Sequence, residues 1–205
     1  MKTAPLLRRA WLLVPLAAAT VLIWSHMIRI EHIDAITAIT PRAPVIDPES
    51  PTGYAHATRQ LIAPDQNIES FQWIIQTQQM FSEGTWRPRH NDSDNSPYGR
   101  EVDNPSPYRW WLGTIAWIDQ RFSGLPIGTC VERAALYANP LIHLLFFLTT
   151  VVFVHRLFGP LPSALVAVGL VAVFPFAGAF MAGVPTAHGL TYVCAFWSVL
   201  LLASG

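Results

Sequence analysis

Residues 135–154 read ALYANPLIHLLFFLTTVVFV, twenty residues without a charge. As a helix rising 1.5 Å per residue, the run is about 30 Å long, the thickness of a bilayer's hydrocarbon core. It ends at His155-Arg156-Leu157-Phe158-Gly159-Pro160, a turn with breaker residues and a single positive charge. Apolar residues resume over 161–180, pause at Gly183-Val184-Pro185-Thr186-Ala187-His188-Gly189, and resume over 190–203. These runs predict three membrane spans, the last too short for a full crossing. A fourth apolar run, 10–27, lies behind Lys2, Arg8 and Arg9.

The charges are sorted along the chain. All 13 acidic residues of the 205 lie between Glu31 and Glu132. Before that window stand only Lys2, Arg8, Arg9 and Arg29, and after it only Arg133 and Arg156. Charged residues make up 13% of the chain, against about 25% in soluble domains. With 52% hydrophobic residues and a mean hydropathy of +0.33, that disfavours a soluble enzyme and excludes a disordered chain. A net charge of zero excludes a basic nucleic-acid binder, so no nucleic-acid partner is expected. Two cysteines, Cys130 and Cys194, make no disulfide framework.

The predicted fold is therefore an all-α polytopic membrane protein with about four transmembrane helices. Residues 1–28 form a cytoplasmic tail and first span, 29–132 a large external loop, and 133–205 spans two to four. Basic residues ahead of the first span place the N-terminus in the cytoplasm of a plasma-membrane protein. Alternation then puts Arg156 inside, where a lone basic turn belongs. A cleaved signal peptide is the competing reading of the first run, although Ile23-Trp24-Ser25-His26-Met27 offers no small-residue cleavage site.

Within the loop, prolines at 41, 44, 48, 51 and 64 indicate extended chain after the first helix. Ile68, Phe71, Ile74, Ile75 and Phe81 then recur at helical spacing, predicting an amphipathic helix capped by Asp65 or Asn67 and closed by Gly84. Asp92 and Asp94 form an Asp-x-Asp pair in a polar loop. Such carboxylates can converge on a divalent cation or belong to a solvated turn. Pro105 and Pro107 open a second helix. Its Trp110, Trp111 and Trp117 suit a membrane interface. Asn139 and His143 share a face of the second span, turned toward a cavity or a neighbouring helix.

This order of parts resembles the N-terminal part of the GT-C fold glycosyltransferases, closest to the catalytic subunit of oligosaccharyltransferases and its bacterial relatives. Three segments carry the likeness. Ile68-Glu69-Ser70-Phe71 through Ser82-Glu83-Gly84 is similar to the family's first loop helix, with its leading acid and closing glycine. Pro97-Tyr98-Gly99-Arg100-Glu101-Val102 resembles its Pro-x-Gly-Arg segment. Residues 183–189 resemble its Gly-x-x-Asp-His-His-Gly loop, with Thr186 and Ala187 replacing the acid and first histidine. The likeness extends over roughly the first third of such an enzyme, so a fragment is expected.

The resemblance implies sugar transfer from a polyprenyl (pyro)phosphate donor to an acceptor at the external face. Glu69 and His188 are then the expected catalytic residues, and Arg100 and Trp110 the expected substrate contacts. Glu69, Asp92, Asp94 and His188 would hold a divalent metal, Mg or Mn. Arg100 could equally pair with Glu101 or Asp103. The implied partners are the lipid-linked sugar donor, membrane lipid and a second membrane subunit. A non-catalytic membrane subunit that grips lipid-linked sugar is the alternative function. A small transporter fragment is a third reading, with Asn139 and His143 as its candidate ion-binding groups.

Overall fold

A computed structural model describes residues 10–39, 45–61, 68–91, 97–103 and 105–204. Its helices are α1 (Leu13–Thr37), α2 (Ile68–Ser82), α3 (Ser106–Ser123), α4 (Ile127–Phe158), α5 (Pro160–Ala172), α6 (Phe174–Gly178) and α7 (His188–Ser204). Between α2 and α3 in the chain, β1 (His90–Asn91) pairs antiparallel with β2 (Arg100–Glu101). Among the described residues, α1 and α4 are long and apolar enough to cross a membrane, and α5 and α7 are apolar but shorter.

The expected span over 161–180 is not one helix. It divides at Val173, whose ψ of 100° is extended, into α5 and the short α6. Pro175 fits the break: it has no N–H to donate back into α5, and it sits in the first turn of α6, where no such donor is needed.

The chain forms two compact units. The first comprises residues 1–31, 139–181 and 187–205. Its interior is mainly aliphatic and aromatic, with Asn139, His143, Thr150 and Ser163 buried among them. Phe146 lies edge-on to Phe196 at 5.3 Å, and Phe176 stacks on Tyr192 at 5.8 Å. The Ser163 hydroxyl donates to the Val151 carbonyl at 2.9 Å and fastens α5 to α4 across the Gly159 turn. Gly159 takes a φ of +91°, which a side chain would oppose.

The second unit comprises residues 32–138 and 182–186. Here α2 forms where its apolar spacing places it. Gly84 (φ +65°) ends it, and Thr85 N–H reaches back to the Met80 carbonyl at 3.1 Å, a six-residue closing bond. The expected caps Asp65 and Asn67 lie outside the described residues. α3 begins just after Pro105 and stops at Gly124 (φ +68°). A turn closed by Asp47 N–H to the Gly53 carbonyl (3.0 Å) packs on the first turn of α4.

Glu132, only 3% exposed, anchors the irregular segment that leads away from that turn. Its Oε2 accepts from the backbone N–H groups of Gln60 (3.1 Å) and Leu61 (3.2 Å). Glu132→Ala would strand both donors. At about 1–3 kcal/mol for a buried group left unpaired, we expect about 2–4 kcal/mol of lost stability, read as a lower thermal midpoint in detergent. Glu132→Gln keeps an acceptor and should lose less.

Candidate functional site

Glu69 stands in the first turn of α2, half-buried, on the face that α3 covers. Its Oε1 accepts a hydrogen bond from the Trp73 indole N–H at 3.4 Å, one helical turn on. Trp73 is buried and meets the Tyr108 ring edge to face at 5.0 Å. Tyr108 is itself buried and hydrogen-bonded to the backbone of Thr186. Burial, opposed by that bond and reinforced by the Glu69 charge, pushes its phenol far above the usual range. Tyr108 therefore stays protonated at any working pH.

Arg109 completes the cluster. It is 0% exposed, donates from Nη2 to the Gln76 amide oxygen at 2.6 Å, and lies 5.9 Å from the Trp73 ring centre. Burial lowers its pKa, and Arg87 lowers it further. Its Nε and Nη1 have no partner among the described residues. The result is one carboxylate, one phenol and one guanidinium gathered around a tryptophan. Such a set can orient a hydroxyl and offset developing negative charge.

The other expected residues are placed as follows. Arg100 is exposed on β2, opposite Asn91, and lines a small polar pocket with Gln72, Gln76, Glu101 and Asp103. Glu69 does not line that pocket. Trp110 is 44% exposed and donates from its indole to the Trp86 carbonyl at 2.9 Å. His188 is exposed at the start of α7, in the first unit. Asp92 and Asp94 lie outside the described residues. Among the described residues, no three His, Cys, Asp or Glu side chains gather as a metal site would need.

Sequence reasoning missed Tyr108 and Arg109, which it passed over as the opening of a helix. The signal was present. Tyr108, Leu112 and Ala116 are spaced by four, so Tyr108 belongs to the inward face and Arg109 adjoins it. His26 was also missed. It has no local signal, since its partner His143 is 117 residues away.

In the first unit, His26 Nε2 lies 3.2 Å from His143 Nδ1, and His143 Nε2 lies 3.0 Å from the Leu170 carbonyl. His143 is buried and stacks on Phe180 at 4.4 Å. Asn139, on the same face, is also buried. A cavity of about 170 Å³ opens beside the histidine pair. No family model matches this chain, and no curated protein or solved structure resembles it to a significant degree.

Proposed function

We propose that the chain is the donor-side part of a membrane glycosyltransferase that moves sugar from a polyprenyl (pyro)phosphate to an acceptor at the external membrane face. One observation carries the reading. Tyr108 bonds to the backbone of Thr186 and feels the charge of Glu69. Two of the three segments that resemble the family thus meet through a single side chain. In this reading Glu69 orients the acceptor hydroxyl or holds a divalent cation. Arg100, in the same unit, serves the donor phosphate, and His188 is proposed from the family likeness alone. Two long apolar helices support membrane association, and the basic residues ahead of α1 are what favour a cytoplasmic N-terminus in this reading. The apolar window of α1 is only 17% covered by protein, as suits a helix with lipid around it.

The second reading is a non-catalytic subunit that holds lipid-linked sugar. Thr186 favours it, because a hydroxyl stands where the family pattern has a carboxylate. Full chain reconstituted in vesicles with a polyprenyl-phosphate sugar and a pool of acceptors separates the two. Saturable release of carrier lipid supports the enzyme. Saturable retention of the donor without turnover supports the subunit. Neither signal would sink both readings.

A further inference from the structure

The histidine pair of the first unit is outside the machinery proposed for sugar transfer, and its hydrogen bonds fix more than its position. The Leu170 carbonyl can only accept, so His143 Nε2 carries a proton and donates to it. In a neutral ring His143 Nδ1 is then bare, so His26 Nε2 must donate to it. That leaves neutral His26 with a bare Nδ1, an acceptor with no partner among the described residues.

The half-buried His26 ring lines the adjoining cavity, together with Arg29, one turn further along α1. Arg29 has no ion-pair partner among the described residues. The Ser25 hydroxyl is already committed to the Leu22 carbonyl at 2.9 Å. The remaining wall is apolar, with Leu22, Val171, Phe174 and Met181. The cavity thus offers one cation, one acceptor nitrogen and a greasy side. Polar groups inside apolar helical bundles usually face a cavity or pathway in use.

We propose that this cavity binds the phosphomonoester headgroup of a membrane lipid. Arg29 pairs with a charged phosphate oxygen. His26 Nδ1 accepts the hydrogen of the remaining P–OH, and the apolar wall takes the first carbons of the chain. The match depends on that last proton. A monoester loses its second proton at a pKa of about 6, so part of it still carries a P–OH near neutrality. A diester has no such proton and would set oxygen lone pairs against a nitrogen lone pair. The site does not depend on the transfer reading, and the carrier that such a transfer releases from a single-phosphate donor is itself a phosphomonoester lipid. A carrier lipid joined to sugar through a single phosphate is a diester and is not its ligand.

The test uses full chain in detergent and three probes: phosphatidic acid, phosphatidylglycerol with the same acyl chains, and inorganic phosphate. Phosphatidic acid should bind at least tenfold tighter than phosphatidylglycerol. Arg29→Gln, at an exposed position, should weaken both lipids about tenfold without altering thermal unfolding. His26→Gln keeps a donor for His143 but displaces the second acceptor, and should abolish the preference between the two lipids. Equal binding of both lipids by the unaltered chain overturns the proposal. So does a preference that survives His26→Gln. Inorganic phosphate displacing phosphatidic acid at matched concentration assigns the site to the free ion and overturns the lipid. Zinc binding that His26→Gln removes, without any lipid binding, assigns the imidazoles to a metal instead.

Discussion

Replacing Glu69 with glutamine is expected to lower the proposed sugar transfer by roughly 10²–10³-fold, the usual effect of removing one preorganised polar group from a reacting centre. The fold should survive. Glutamine retains a side-chain oxygen for the Trp73 indole, which Glu69 now engages at 3.4 Å. Only the negative charge and the basic oxygen are lost. The decisive measurement is the transfer rate with saturating donor, set beside a thermal melt. A large fall in rate with an unchanged midpoint supports the carboxylate's role in catalysis. An unchanged rate would remove Glu69 from the mechanism and leave it as a favourable charge at a helix N-terminus. Glu69→Asp adds a graded check, since it keeps the charge on a shorter arm and should fall between the two.

The largest effect on folding is expected at Gly128. A methyl group there would run into the Pro51 carbonyl, the Thr52 carbonyl carbon and the Gly53 nitrogen. These are backbone atoms of a tight turn, held by Gly53 N–H to the Ser50 carbonyl (2.9 Å) and Asp47 N–H to the Gly53 carbonyl (3.0 Å). They cannot step aside without giving up those bonds. The Gly128 carbonyl also accepts from the Gln78 side chain at 2.9 Å, so a shift of α4 would disturb α2 as well. Overpacking typically costs 1–3 kcal/mol and more against rigid neighbours. We therefore expect Gly128→Ala to lose about 3 kcal/mol or more, seen as poor yield and a sharply lowered midpoint. Gly169→Ala is the control. Nothing lies within 4 Å of a side chain there. A helix-interior glycine replaced by alanine should gain about 0.5–1 kcal/mol. A mild effect at Gly128 would mean that the turn is not seated on α4 as described.

Hydropathy and periodicity carried the helices of this chain, each within its own reach. The amphipathic spacing from Ile68 to Phe81 was enough to place α2, and Gly84 to stop it, because both signals are local. Hydropathy alone underestimated α4. It marked residues 135–154, whereas the helix runs Ile127–Phe158. Hydropathy reports where apolar surroundings begin, and a helix continues past that point when polar residues such as Glu132 have partners. It also missed the break at Val173, since one proline barely lowers the mean hydropathy of a window rich in Val, Phe and Ala. The candidate site was half legible. The family resemblance, through the acid that leads the amphipathic helix, drew attention to Glu69. The spatial meeting of Glu69, Tyr108 and the backbone of Thr186 depends on packing between distant segments, which no spacing rule encodes.

The interruption between α5 and α6 has an electrical side. In an unbroken helix the Leu170 carbonyl would accept from the N–H of residue 174. Phe174 instead opens a new helix, so Leu170 belongs to the last turn of α5, whose oxygens are left looking for donors and carry partial negative charge. One of these oxygens is the acceptor that settles which nitrogen of His143 holds its hydrogen, and through it which face of His26 is bare. The break before Phe174 thereby sets the hydrogen-bonding polarity of a cavity that Phe174 itself lines. Closing that gap, so that the Phe174 N–H returned to Leu170, would set a competitor against His143 for that oxygen without touching a single ionisable group.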